Sequence, residues 1–198
     1  MAMRSFIQRY QRQVAENPMR TFGLQAALMF SIGDVLAQQV VEEKGFRNHD
    51  PVRTLRMGVY GCFVAGPVTG KWHQFLNRTV TIKNRAGSIA TRLAIDQLFF
   101  GPTLLFLFMS GISILEGQTL AGIRSKFENN YVDTMKRSYQ FWPFFNLISF
   151  TFFPYQYRPL ASSGASVVWN AYLSFVNQKA CQVAANTPVV HVMAERIP

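Results

Sequence analysis

A chain of 198 residues that is 49% hydrophobic and 15% charged is too apolar for an ordinary soluble domain, where about a quarter of residues carry charge. Its length allows one compact unit or one bundle of roughly four to six helices, and 18 phenylalanines favour contact with lipid. The net charge of +10 comes from lysines and arginines scattered through connecting segments, with no RNA- or DNA-binding motif; this argues against nucleic acid and suits loops beside anionic lipid.

Met1–Arg20 holds Arg4, Arg9, Arg12 and Arg20 against Glu16 alone, with Phe6, Ile7, Tyr10 and Val14 as a helical apolar stripe. A basic amphipathic helix of this kind suits a mitochondrial targeting segment or a permanent helix in the membrane interface. The interfacial helix is favoured, because no cleavage-type boundary precedes Asn17-Pro18, which reads as a helix start. Thr21–Val41 is the first expected span. Gly23, Ala27 and Ser31 form a row where another helix can approach, and Asp34 and Gln38 share one face. Val52–Leu76 is the second, with Gly58, Cys62, Gly66 and Gly70 as a four-residue packing row, a break at Pro67 and an interfacial end at Lys71-Trp72-His73.

Ser88–Leu115 is the third and most apolar run. Arg92 and Asp96 are placed to pair one turn apart, Gly101-Pro102 interrupts the helix, and uncharged Thr103–Leu115 is expected to face lipid. Glu116–Gln140 is amphipathic and suits an interfacial helix. Phe141–Arg158 is the fourth span, bracketed by Pro143 and Pro154; its ladder Trp142, Asn146, Phe150, Pro154, Arg158 keeps to one slowly drifting helix face. At 1.5 Å per residue that run covers roughly 25 Å, close to the hydrocarbon thickness of about 30 Å. Pro159–Ala180 gives a last helix with a small-residue row at Ala161–Ser166, and Cys181–Pro198 reads as a loosely ordered tail. The whole is an all-α polytopic membrane helix bundle of four or five spans (about 21–41, 52–76, 88–115, 141–158 and 159–180) with interfacial amphipathic helices.

Chemistry leaves little trace in this chain. Cys62 and Cys181 match no metal spacing, and His49, His73 and His191 fall in separate segments. No nucleophile elbow, phosphate loop or dinucleotide fingerprint is present. No enzyme activity, cofactor or metal is expected.

One resemblance spans most of the chain. Trp142-Pro143, Phe150, Pro154, Tyr157-Arg158, Val168-Trp169-Asn170 and Tyr172-Leu173-Ser174 resemble the signature of the Mpv-seventeen / peroxisomal-membrane-protein-two family of small membrane proteins. Gly33-Asp34, Gln38-Gln39, Arg53, Arg56, Gly66-Pro67, Trp72, Asp96-Gln97 and Pro102 extend it from about Asn17 to Lys179. The family usually has Gln and Asn in place of Asn146 and Ser149, and Tyr in place of His73. The resemblance implies channel-like permeability, a part in stress response and mitochondrial DNA maintenance, and residence in the mitochondrial inner membrane or the peroxisome. The basic N-terminus favours the mitochondrion.

The candidate functional set is therefore the intramembrane polar group Asp34, Gln38, Arg56, Arg92, Asp96, Gln97, Asn146 and Arg158. Charges at such depth need mutual pairing or a wet cavity. Two functions follow: a small-solute path lined by these groups, to which Pro67, Pro102 and Pro154 would lend freed carbonyls, or a non-conducting scaffold locked by them. The expected partners are the bilayer, small solutes or ions, and further copies in a homo-oligomer.

Overall fold

The computed structural model describes residues 2–186, with side chains for residues 9–172. Among these residues the secondary structure is entirely helical. Helix α1 (Ala2–Glu16) is followed directly by α2 (Pro18–Leu36), whose Pro18 occupies the first turn, where a missing N–H leaves nothing unpaired. After a short loop come α3 (Pro51–Tyr60) and α4 (Gly66–Thr79), then α5 (Arg85–Ile95) and α6 (Gly101–Leu115). The long α7 (Leu120–Phe152) and α8 (Arg158–Asn186) complete the bundle. Residues 181–186 of the expected tail belong to α8, and 187–198 lie outside the described residues.

Two runs are long and apolar enough to cross a bilayer, Pro18–Val41 and Arg85–Leu115. On α2 and the π turn that continues it to Val41, Leu24, Leu28, Ile32, Leu36 and Val40 point outward at four-residue spacing, an apolar stripe that water would disfavour and lipid accepts. The opposite side of α2 packs against α3, α4 and α8. Here the two rows of small residues meet. A Cβ on Gly58 would come 2.7 Å from Ser31 Oγ, and one on Gly23 would come 2.6 Å from the Cys62 carbonyl oxygen. Gly66 lies as close to the Phe22 and Gly23 backbone, with no side chain between, and Gly70 makes room for the Phe22 ring.

The prolines act in three ways. Pro67 and Pro102 do not end their helices. Each follows a glycine and a five-residue π turn, Gly61–Ala65 and Asp96–Phe100, so that α3–α4 and α5–α6 are continuous helical runs. The wider turn bonds Gly66 N–H to the Gly61 carbonyl and Gly101 N–H to the Asp96 carbonyl. It relieves the clash a proline ring would make with a tight preceding turn. Pro143 lies inside α7 without terminating it. Pro154 is the true breaker: α7 ends at Phe152, and a 3₁₀ turn, Tyr155–Tyr157, leads into α8.

The expected elements are corrected accordingly. The span drawn over 141–158 stops at Phe152, and Arg158 belongs to the next helix. The interfacial helix expected before it is the first half of α7 itself, because the helix runs through Gln140-Phe141 without a break. Lys71-Trp72-His73 does not end the helix: α4 continues to Thr79, and His73 is 2% exposed. Thr103–Leu115 does not simply face lipid: Leu105, Met109, Ile112 and Ser113 are buried, while Phe106 and Ile114 point outward.

A polar cavity between six helices

The intramembrane polar residues separate into three places. The first is at the C-terminal end of α2, where a π turn, Ala37–Val41, carries the chain into the loop before α3. Asp34 is buried and meets Arg53 as an ion pair, Nε to Oδ1, at 2.7 Å. Its other oxygen accepts hydrogen bonds from Gln38 Nε2 at 2.7 Å and Thr54 Oγ1 at 2.6 Å. Arg53 also grips both oxygens of Glu42, at 2.8 and 3.0 Å. Gln38 holds the loop by accepting from Asp50 N–H at 2.7 Å and donating to the Asp50 carbonyl at 3.1 Å. Asp50 caps α3 by accepting from Arg53 N–H, and that backbone bond holds its carboxyl below the usual carboxylate range. A charged group so fully answered acts as a fastening between α2 and α3.

The second place is a central cavity of about 90 Å³. Thr69 and His73 of α4, Asp96 and Gln97 of the π turn, Ser138 and Asn146 of α7, and Ser162, Ser163, Ser166 and Asn170 of α8 supply its polar wall. Ala26 and Phe30 of α2, Tyr60 of α3 and Leu104, Leu105 and Phe108 of α6 supply much of the apolar one, with Trp142 and Trp169. Asp96 is 3% exposed and accepts three neutral N–H bonds: Trp72 Nε1 at 2.8 Å, Asn146 Nδ2 at 2.6 Å and Gln97 Nε2 at 3.2 Å. Trp72 is held for this by stacking on Phe100, centroids 4.8 Å apart and planes 5° off parallel. Three of the residues that line the cavity also carry a buried polar atom with no protein partner among the described residues: Tyr60 Oη, His73 Nδ1 and Asn170 Nδ2.

The third place is one end of the bundle, where two arginines cap helix C-termini. Arg158 donates from Nε to the Phe153 carbonyl at 3.0 Å and from Nη2 to the Phe150 carbonyl at 3.4 Å, with its guanidinium 5.0 Å from the Phe150 ring centre. Arg92 donates to the Val80 carbonyl, just past α4, at 3.0 Å. Cations are favoured where helix carbonyls are left over.

The eight candidates thus do not form one lining. Asp96, Gln97 and Asn146 reach the cavity; Asp34 and Gln38 are in the α2–α3 fastening; Arg92 and Arg158 cap helices. Arg56 is half-buried and reaches the first place through its charge, which helps to hold the Asp50 carboxyl low. The anticipated Arg92–Asp96 pair is absent among the described residues: Trp72 and Asn146, from other helices, take the carboxylate instead. Carbonyls around the second proline are met by side chains, Gln97 O by Tyr139 Oη at 3.1 Å and Phe99 O by Thr103 Oγ1 at 2.7 Å. Sequence reasoning missed Thr69, Ser138 and the lining role of His73, and read Ser162, Ser163 and Ser166 only as small packing residues. A signal was there: the three serines recur within five residues of the otherwise apolar stretch Pro159–Trp169.

A profile of the Mpv17 / PMP22 family matches residues 113–174. Protein SYM1 of Gibberella zeae is 37% identical over 178 residues, covering 89% of this chain and 100% of that protein. Protein sym1 of Aspergillus oryzae is 38% identical over 85% of this chain and 95% of its own length. The mitochondrial inner membrane protein Mpv17 of Danio rerio is 32% identical over 86% of this chain and 96% of its own. No solved structure matches the chain. On relatedness that runs nearly end to end, the chain belongs to the Mpv17 / PMP22 family and is a protein of the mitochondrial inner membrane.

Proposed function

We propose that this protein is a small-solute channel or pore of the mitochondrial inner membrane whose path runs through the central cavity. The observation that carries this reading is the cavity itself: polar side chains from four of its surrounding segments converge there. In this reading α3–α4, the later half of α7 and α8 cross the bilayer beside the two clearly apolar runs. The roles the family resemblance implies, stress response, metabolic homeostasis and mitochondrial DNA maintenance, would then follow from solute exchange with the matrix.

A second reading is a non-conducting scaffold that binds partners. It is favoured by the saturation of Asp34 and Asp96, whose oxygens are answered as they would be in a lock. Purified protein in liposomes decides between them. Solute flux or single-channel current above that of empty liposomes supports the channel, and silence across membrane potentials supports the scaffold.

A further inference from the structure

The end of the bundle where α4, α5, α7 and α8 meet gathers cations. Arg85, in the first turn of α5, donates from Nη2 to the Thr151 carbonyl at 2.9 Å. Arg158 holds the Phe150 and Phe153 carbonyls on either side of it. Arg92 holds the carbonyl of Val80, a residue that packs with Phe150. These guanidiniums surround the last turn of α7, and the charge of Arg92 opposes that of Arg158. Arg78 and Lys83, both exposed, flank them at the end of α4 and on its connection to α5.

Among the described residues no anion offsets this charge. Segments 78–92 and 152–158 contain no aspartate or glutamate, and their lysine and arginines enter no ion pair among the described residues. Asp96, one turn from Arg92, is taken by Trp72, Asn146 and Gln97, and Glu16 of α1 pairs with Arg12 at 2.7 Å. The carbonyls that the arginines hold are neutral, so they answer N–H groups and leave the net charge standing. Like charges gathered in this way, with Arg158 only 6% exposed, are costly without a counter-ion. Arg158 contributes its charge from beneath, while Arg78, Lys83 and Arg85 are exposed and carry N–H donors at the surface.

The surroundings of the cluster narrow the choice of anion. Phe152, Phe153 and Tyr155 at the α7–α8 turn, Phe75 in the second half of α4 and Ile82 beside Lys83 all point outward, 40–74% exposed. Water disfavours such a rim, and acyl chains cover it. Guanidinium forks match the paired oxygens of a phosphate. A phosphate joined to hydrocarbon satisfies both surfaces at once, and Arg85 opens the apolar run Arg85–Leu115, where headgroups would lie. We infer that this arginine cluster is a binding site for the phosphate headgroup of an anionic phospholipid, whose acyl chains lie along Phe75, Phe152 and Phe153. The site stands whether the bundle conducts or not.

The test is a lipid titration of the full-length protein in dodecyl maltoside micelles, with apparent affinity read from the rise in melting temperature as lipid is added. Phosphatidylglycerol is the anionic probe, phosphatidylcholine with the same acyl chains the neutral one, and glycerol 3-phosphate the soluble phosphate. The expected result is binding of phosphatidylglycerol at least about fivefold tighter than of phosphatidylcholine, weakened by high salt and not reproduced by glycerol 3-phosphate. Lys83→Gln and Arg85→Gln should each weaken it about fivefold, the effect of one basic side chain at an anionic lipid surface. Lys83 is exposed and makes no hydrogen bond or ion pair among the described residues, so that variant keeps the fold. Arg124→Gln, near the opposite end of α7, is the control and should bind as the wild type does. Equal affinity for the two lipids would overturn the anionic headgroup as the ligand. An equal rise with glycerol 3-phosphate would overturn lipid as its source. Wild-type affinity in both Lys83→Gln and Arg85→Gln, or an equal loss in Arg124→Gln, would overturn the cluster as the site.

Discussion

Replacing Gly66 by alanine isolates the contact on which the α2–α4 packing depends. The new methyl would run into the Phe22 carbonyl, with its carbon at 2.7 Å and Gly23 Cα at 2.8 Å. These are backbone atoms and cannot rotate aside, so α2 and α4 must move apart. Overpacking typically costs 1–3 kcal/mol, and a backbone-on-backbone clash belongs at about 3. The helix propensity gained on going from glycine to alanine returns about 1 kcal/mol, leaving a net loss of about 2. At about 2–4 °C per kcal/mol for a chain of this size, Gly66→Ala should melt about 4–8 °C lower. Gly164→Ala is the control: no atom lies within 4 Å of its added Cβ, so only the propensity gain remains and stability should hold or rise. Both are read by thermal unfolding in detergent followed by tryptophan fluorescence. Equal melting of the two variants would refute the claim that bare backbone contact joins α2 to α4.

Arg53→Gln should destabilise the protein by about 3 kcal/mol, because Asp34, with a side chain only 1% exposed, loses its cation; an unchanged denaturation midpoint would show that Thr54 and Gln38 suffice for it. Asp96→Asn places an amide donor among three N–H donors and should lose about 1–3 kcal/mol, with a shift in Trp72 emission; a wild-type melting curve and spectrum would contradict the cage drawn around it. Tyr10 donates to Gln25 Oε1 at 2.9 Å and stacks on Tyr157, tying α1 to the turn before α8, and burial pushes its hydroxyl up to about 12. A phenol whose folded pKa lies above the unfolded value of about 10 contributes a stability that is complete below pH 10 and lost as pH rises towards 12. Protease cleavage between α1 and α2 should therefore accelerate over that window in the wild type, and Tyr10→Phe should remove the window; an identical alkaline profile in both would exclude Tyr10 as its source.

Much of the fold was legible because lipid imposes a coarse, strong pattern. The Gly23–Ala27–Ser31 and Gly58–Cys62–Gly66–Gly70 rows were visible as spacing alone, and the structure places them face to face. The helix start at Pro18 was equally visible, whereas Pro154, seen as a helix breaker, was still drawn inside a span that ran on to Arg158. The joining of Glu116–Gln140 to Phe141–Phe152 was not visible, because a change of solvent along a helix alters its composition without altering its hydrogen bonds. The site was less legible than the fold. Charge singles out a residue in an apolar sequence, so Asp34, Asp96 and the arginines were found, but charge does not say which partner is nearest. Arg92 and Asp96 are neighbours along one helix, whereas the donors that hold Asp96 come from residues 24 and 50 positions away.

The two Gly-Pro steps connect that packing to the cavity. Gly61–Ala65 with Gly66-Pro67, and Asp96–Phe100 with Gly101-Pro102, are the same device on two helical runs: a π turn, a glycine and a proline. In the first, the glycine abuts the backbone of α2, while Ala65 and, one turn further on, Thr69 face the cavity. In the second, Asp96 opens the wide turn and Phe100 and Gly101 close it, all three on the cavity wall. A regular α-helix lacks the extra residue that lets Asp96 and Gly101 stand one above the other, bonded carbonyl to N–H. The proline keeps the wide turn from tightening to the regular one, because its ring would strike the carbonyl one regular turn back. Proline therefore works here by fixing a helix in a wider form, and the interior polar space lies where two such helical runs meet.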